Sequence, residues 1–277
     1  MSVPRVRRIG IFAAMRRELA SLEAHTEISR IRQTPSFRAV EGRLEGRDVI
    51  LASTGEGAEN ARKGAESLFA EYAFDGVVIM GLAGALSPAL APGAVLAITE
   101  ILDRGAQVPA PDPGLLRRLL GVKGAIPATL YTTSKILCTA REKAEATARI
   151  PGNVMAAVDL ETATFARLSG SRGIPFVAIR AVSDTATESL PVDFNELRDA
   201  TGALDMRRIV LSALLRPRLL APLWRLRSRS RLCSRQLANA VRASLAAGDS
   251  ASASNLAQGG RVTERSHPSP PRVQGLG

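Results

Sequence analysis

The chain has 277 residues, 45% of them hydrophobic and 4% aromatic, and a formal net charge of +11. That length can bury one large core, while so few aromatic rings argue against a reader of single-stranded nucleic acid, which needs stacking platforms. Two histidines, His25 and His267, and two distant cysteines, Cys138 and Cys233, supply neither a zinc ligand set nor a disulfide framework; they suit a reducing, cytoplasmic compartment.

In chain order, an apolar run over residues 7–13 predicts a first strand, and residues 15–23 a short helix edged by Leu19 and Leu22. Arg16 and Arg17 break the apolar run early, so no signal peptide is expected. Residues 37–44 and 48–53 alternate around Glu45-Gly46-Arg47, a hairpin signal. A Gly55-Glu56-Gly57 turn leads into a helix over 58–72. Residues 76–99 carry no charged side chain and are long enough to suggest a membrane span. Gly81, Gly84, Pro88, Pro92 and Gly93 would break such a helix repeatedly, so the reading is a buried strand over 76–81, a tight glycine-rich loop and a second strand over 95–101. Residues 106–133 read as a proline-rich loop holding a short helix over 115–120. Then follow a polar helix (140–148), a strand (154–158), a helix (161–169), a strand (175–182) and a closing helix (195–215). Strands alternating with helices predict an α/β protein with a largely parallel sheet covered on both sides.

The most informative stretches are Ala157-Val158-Asp159-Leu160-Glu161-Thr162 and Arg180-Ala181-Val182-Ser183-Asp184-Thr185. Each is an apolar run that ends abruptly in carboxylates, and strand ends are where an open α/β sheet places its chemistry. Glu18 follows the first strand in the same way. Three acids at three strand exits, with no histidine beside them, point to a neutral, hydroxyl-rich molecule rather than to acyl or metal chemistry.

The segments IGIFAAMRREL, Gly55-Glu56-Gly57, GLAGAL, VDLETA and RAVSDTA, in this order over roughly residues 7–215, resemble the nucleoside phosphorylases and nucleosidases. The nearer resemblance is to methylthioadenosine/S-adenosylhomocysteine nucleosidases. Within these, SDTATESLPVDF and the Arg- and Leu-rich stretch behind it look most like the hopanoid-associated phosphorylases, or adenosylhopane nucleosidases. The resemblance implies a single-domain, three-layer phosphorylase/hydrolase-like fold with a twisted mixed central sheet flanked by helices.

It also implies roles. Cleaving an N-glycosidic bond builds positive charge on the sugar and negative charge on the departing base. Asp184, oriented by Ser183, would donate a proton to that base; the alternative is an N-capping residue. Glu161 would grip the ribose hydroxyls, its bonds strengthening as the ring gains charge, with Leu160 as an apolar floor; the alternative is a first-turn helix acid. Glu18 would activate water, unless it is a solvated helix residue beside Arg16 and Arg17. Backbone groups of Ala83 and Gly84 would approach the ligand. Arg180 either binds an anion or forms a buried ion pair. No metal or cofactor is implied. Inorganic phosphate enters only as a co-substrate of the phosphorolytic alternative, and the Gly-Asp-Pro-x-Arg phosphate signature is absent.

Ten arginines and no acid or lysine lie between Arg207 and Arg242, so the body of the chain is nearly neutral and the basic character belongs to its C-terminal part. Leu223, Leu226, Cys233, Leu237 and Val241 recur at helical intervals there. A basic amphipathic helix with Trp224 near its start suits an anionic membrane surface; the alternatives are packing on its own domain or an RNA-binding arm. The expected organisation is a catalytic domain (1–215), this helix (216–246) and a disordered tail (247–277) rich in Ser, Gly, Pro and Gln. The expected activity is adenine release from an adenosylated substrate, adenosylhopane in the narrow reading, by a cytoplasmic homodimer peripheral to the membrane and with no nucleic-acid partner. The rivals are a general methylthioadenosine/S-adenosylhomocysteine nucleosidase, a purine nucleoside phosphorylase, and a non-catalytic nucleoside-binding or scaffold protein on the same fold.

Overall fold

The computed structural model describes residues 8–258 apart from 104–105, 153, 200–203, 206 and 209–215, with side chains as far as residue 247. The elements are β1 (Arg8–Ala13), α1 (Arg16–Glu23), β2 (Glu27–Gln33), β3 (Arg38–Leu44), β4 (Arg47–Ser53), α2 (Ala58–Glu71), β5 (Gly76–Ala85), β6 (Val95–Asp103) and α3 (Pro113–Leu120). They continue with β7 (Ala125–Thr132), α4 (Ala140–Thr147), β8 (Ala156–Asp159), α5 (Thr162–Gly170), β9 (Phe176–Asp184), a 3₁₀ turn (Pro217–Leu219) and α6 (Leu220–Gln258).

The nine described strands form one mixed sheet in the order β2-β3-β4-β1-β5-β8-β7-β6-β9. Strand β5 borders β1, β8 and β9, and β9 also borders β6. Strands β5-β8-β7-β6-β9 therefore close into a ring, and β1, β4, β3 and β2 extend from it as an open wing. The β3–β4 hairpin turns through Glu45 (φ 48°) and Gly46 (φ 74°). Positive φ at both positions matches the right-handed twist of the flanking strands.

Period-2 alternation sends the two faces of each strand to different cores. On one side, Phe12, Ala178 and Val182 pack with Leu68 of α2 and Phe165 of α5. On the other, Ile11, Ile179 and Ala181 pack with Leu22 of α1, Leu119 of α3 and Leu237 and Val241 of α6. This is the expected three-layer α/β arrangement, a mixed central sheet flanked by helices.

Four expectations need correction. The GLAGA segment is not a loop: it continues β5 to Ala85, and neither Gly81 nor Gly84 has positive φ. Glycine is needed there for close approach instead. A Cβ on Gly81 would lie 3.1 Å from Glu18 Oε1, and one on Gly84 would lie 3.1 Å from Asp184 Oδ2.

Residues 106–133 are not mainly loop, because β7 occupies 125–132. Pro127 disguises it. Strand β8 pairs with β7 only from Thr129 onward, so the missing N–H of Pro127 sits at a local edge. Strand β2 was not anticipated either; its side chains are almost all exposed, so it lacks the apolar alternation that marks a strand.

The closing helix over 195–215 is replaced, where described, by a turn over 194–197 and an isolated Arg198–Leu204 bridge, and only residues 207–208 are helical. Its remainder lies outside the described residues. Finally, α6 runs past residue 246 to Gln258. The alanine-rich continuation contains no proline to stop a helix. Residues 259–277 of the expected tail lie outside the described residues.

Candidate active site

The strand ends near the centre of the sheet open into a cavity of about 1550 Å³. Glu18, Glu161 and Asp184 all line it, together with Ala83, Gly84, Leu160 and Ser183. Residues separated by up to 166 positions of sequence thus share one hollow, and each arrives by a different local device.

Glu18 sits in the first turn of α1 and is 4% exposed. Its Oε2 accepts from the Met15 N–H (2.8 Å) and its Oε1 from the Leu82 N–H (2.9 Å), tying α1 to the exit of β5. Burial outweighs these bonds and the nearby Arg180 and Arg17, and it pushes the carboxyl above the usual carboxylate range. From the other side, Ser234 of α6 donates to the Glu18 carbonyl at 3.1 Å.

Glu161 is the N-cap residue of α5. Its Oε1 accepts from the Gly57 N–H at 2.6 Å. Gly57 has φ 90°, a backbone conformation that glycine adopts without strain. Burial, and then the adjacent Asp159 carboxylate, push Glu161 up to about 8.

Asp184 is the last residue of β9 and is 5% exposed. The pairing of β9 with β5 slips here, Ala83 facing Val182 and Gly84 facing Asp184. Such a bulge re-aims a side chain where a strand leaves its sheet. Ser183 Oγ donates to Asp184 Oδ1 at 2.5 Å. Asp184 Oδ2 accepts from Lys143 Nζ, also at 2.5 Å.

Asp159 belongs to the supporting frame. It pairs with Arg180 at 2.9 Å, both side chains being nearly inaccessible. It also accepts from Thr132 Oγ1 (2.8 Å) and the Thr162 hydroxyl. Arg180 spends its remaining donors on the Ile79 and Ile179 carbonyls and on Thr162. The ion-pair alternative for Arg180 is the one the structure contains. Arg17 reaches Glu56 at 3.4 Å on the cavity wall.

Two features were missed in the sequence. Lys143 looked like a surface lysine on a polar helix, yet it is 1% exposed. The other is the wall contributed by α6, where Leu220, Leu223, Trp224 and Leu226 line the outer cavity. Their helical spacing was visible, but not what they face. Cys233, Leu237 and Val241, on the same predicted apolar stripe, are fully buried in the domain core. That part of the stripe cannot lie on a membrane.

Chemically, the arrangement offers one buried carboxylate with raised proton affinity beside β5, a second at a helix N-terminus, and a third held between a hydroxyl and an ammonium. A mixed α/β sheet that gathers such groups around a hollow of this size defines an enzyme of the nucleosidase or nucleoside phosphorylase class. The chain belongs to the phosphorylase superfamily, whose pattern matches residues 8–216.

Among similar proteins is a 5′-methylthioadenosine/S-adenosylhomocysteine nucleosidase of Shewanella halifaxensis, 30% identical over 211 residues, with 68% of this chain and 91% of that one covered. Among solved structures, the 5′-methylthioadenosine/S-adenosylhomocysteine nucleosidase of Neisseria meningitidis in complex with methylthio-immucillin-A superposes with a TM-score of 0.68 at 22% identity, covering 87% of this chain and 99% of that one. The futalosine hydrolase of Helicobacter pylori superposes with a TM-score of 0.67 at 15% identity, covering 87% and 97%.

Proposed function

We infer that this enzyme hydrolyses the adenine–ribose bond of an adenosylated substrate whose 5′ side carries a bulky apolar group. Adenosylhopane, yielding adenine and ribosylhopane, is the specific substrate we put forward. Glu18 activates water, Glu161 holds the ribose diol, and Asp184 passes a proton to the departing base. Leu160 and Ser183 shape the sugar and acid positions, and Ala83 and Gly84 let the backbone of β5 come close to the ligand.

The observation that carries the reading is the continuity of one cavity. Its inner end holds the acids, and its outer wall, built by α6, is Leu220, Leu223, Trp224 and Leu226 beside Arg227, Arg231 and Arg235. At about 1550 Å³ it exceeds the roughly 300–1,000 Å³ usual for small-ligand sites. A compact polar nucleoside would leave the outer apolar wall in water. The ending SDTATESLPVDF supports the same narrow reading by resemblance.

The similar nucleosidases favour a second reading, a general methylthioadenosine/S-adenosylhomocysteine nucleosidase. Purified enzyme offered adenosylhopane and methylthioadenosine, with and without phosphate, separates the possibilities. We expect adenine from both, a higher kcat/KM for the lipid nucleoside, and no need for phosphate. Faster turnover of methylthioadenosine would favour the general nucleosidase. A phosphate requirement would make the enzyme a phosphorylase and leave Glu18 without its assigned role.

We further propose that the enzyme works at the face of an anionic membrane. Trp224 (70% exposed) and Leu220 (54% exposed) stand at the cavity rim, flanked by the exposed Arg225, Arg227 and Arg231. No helix among the described residues is long and apolar enough to cross a membrane, so contact of this kind would be peripheral.

A further inference from the structure

The geometry points to Lys143 as a positioning residue that stores the proton Asp184 delivers to the departing base. This rests on the functional reading above. Lys143 lies in α4, on the helix face that Ala146 also buries. Its Nζ donates to Asp184 Oδ2 (2.5 Å), to the Thr185 carbonyl (2.7 Å) and to the Glu188 carbonyl (2.8 Å). An ammonium has three donors, and here all three are spoken for.

Asp184 is equally committed. One oxygen accepts from Lys143, and the other lies 2.5 Å from Ser183 Oγ, whose one proton is shared between it and the Ala83 carbonyl at 3.2 Å. Its 2.5 Å ion pair with the Lys143 ammonium makes Asp184 the carboxylate partner and puts the available proton on Lys143. Lys143 does not line the cavity, whereas Asp184 does. The ammonium therefore stands behind the carboxylate and reaches substrate only through it.

The transfer balances as follows. One Nζ–H bond breaks as an O–H bond forms on Asp184. That proton passes to the departing adenine, which keeps the electron pair of the broken C–N bond. Water adds its oxygen to the sugar carbon and gives its proton to Glu18. Lys143 is left as a neutral amine, and solvent in the emptied cavity restores the starting protonation states. An anionic purine is basic enough to draw a proton that a neutral one leaves in place, so the ion pair stays intact until the bond breaks.

The arrangement also defines what the pH profile reports. The ion pair and its neutral tautomer contain the same number of protons, so the pair behaves as one acid. The other titratable or charged groups around it are Glu18 from α1, Glu161 at the start of α5, and Asp159 at the end of β8. Cys233 and Arg229 face it from α6, where Arg229 pairs with Glu188 at 2.6 Å. Glu142, on the helix of Lys143 itself, is engaged by Lys135 at 2.8 Å.

The test compares the intact wild-type chain with Lys143→Met and Lys143→Arg. Arginine keeps the charge and several donors but yields no proton. For adenine release, both variants should lose about 10²-fold in kcat, the usual scale of general acid catalysis, with KM changed much less. The pH dependence of kcat should differ between wild type and Lys143→Met, because one member of the proton-sharing pair is gone.

On 4-nitrophenyl β-D-riboside, whose leaving group needs no proton, both variants should keep wild-type kcat. If Lys143→Met is too unstable to purify, Lys143→Gln, which retains donors for the two carbonyls, is read in the same way. An unchanged pH dependence would overturn the proposal, as would full activity of Lys143→Arg or an equal loss on the nitrophenyl substrate, which marks a purely structural lysine. A wild-type enzyme that releases no adenine at all would instead remove the functional reading, and this inference with it.

Discussion

At the scale of single residues, the site places carboxylates where burial works against their charge, and the consequences can be measured. In the role proposed for it, Glu18 must be ionised to activate water, and its proton affinity is raised by burial. Activity should therefore fall, as pH drops, at a value above the ordinary carboxylate range. Glu18→Gln should cost about 10²–10⁴-fold in kcat, as expected for loss of a general base, and steady-state kinetics across pH checks both statements. Glu161 makes the opposite trade. Its folded value, about 8, lies above its unfolded one. The folded state therefore binds the proton more tightly, and its stability declines as pH rises from the ordinary carboxylate range through about 8. Glu161→Gln should unfold at a higher temperature than wild type at pH 9 and at the same temperature at pH 4, a gain on the order of 1–3 kcal/mol after allowing for solvent. Above about pH 8, where Glu161 is ionised, the same change should raise KM about tenfold or more, because hydrogen bonds to charged groups are worth about 1.5–3 kcal/mol. Arg180→Met should be destabilising at neutral pH by roughly 3–5 kcal/mol, since it leaves Asp159 buried without its counter-charge. Denaturant unfolding measures that.

At the scale of elements, the register slip in β9 and the packing of α6 matter most. Asp184 leaves the sheet beside Gly84 because β9 carries one extra residue at that point. Helix α6 serves two purposes along its length. Cys233, Leu237 and Val241 are fully buried against α1 and the sheet, and Ser234 fixes the backbone beneath Glu18. Towards its start, Leu223, Trp224 and Leu226 turn to the cavity. The two parts should respond differently to truncation. Leu237→Ala should cost about 2–5 kcal/mol of stability, as for other large-to-small core changes. Trp224→Ala should leave stability within about 0.5 kcal/mol, as at most exposed sites, while raising KM for the lipid nucleoside and not for methylthioadenosine. Thermal unfolding and paired kinetics decide this. An equal KM change on both substrates would remove the outer wall from the specificity argument.

At the scale of the whole molecule, charge is segregated: a nearly neutral catalytic body carries an arginine-rich helix at the mouth of its cavity. A membrane-face enzyme with this layout should sediment with vesicles containing anionic phospholipid and not with neutral ones, and salt should reverse the binding. Each arginine near the surface contributes about 1 kcal/mol, so changing Arg216, Arg218 and Arg225 together to Glu should abolish sedimentation. These side chains are exposed and none of them lines the cavity, so turnover of a water-soluble nucleoside should be retained. Binding that ignores lipid charge would remove the peripheral-membrane proposal.

Much of this protein was legible in its sequence. The apolar runs of β1, β5, β6, β8 and β9 announce themselves by composition, and the Glu45-Gly46 hairpin by turn chemistry. The acids at strand exits mark residues that meet at one cavity, because local pattern and strand topology agree there. The tertiary structure alone decided the rest. The segment after Gly81 read locally as a loop, but it continues the strand, and Gly81 and Gly84 are kept small by carboxylates arriving from distant segments. Pro127 hid a strand because only the neighbouring strand's length makes it tolerable. Lys143 looked like one polar residue among several on a short helix; its partner is 41 residues away, and burial of its ammonium depends on three acceptors brought together by β9 and the turn after it. A sequence states each side chain's chemistry and its near neighbours. Which charges meet out of water, and what covers an apolar helix face, are fixed by contacts that exist only once the chain has closed on itself.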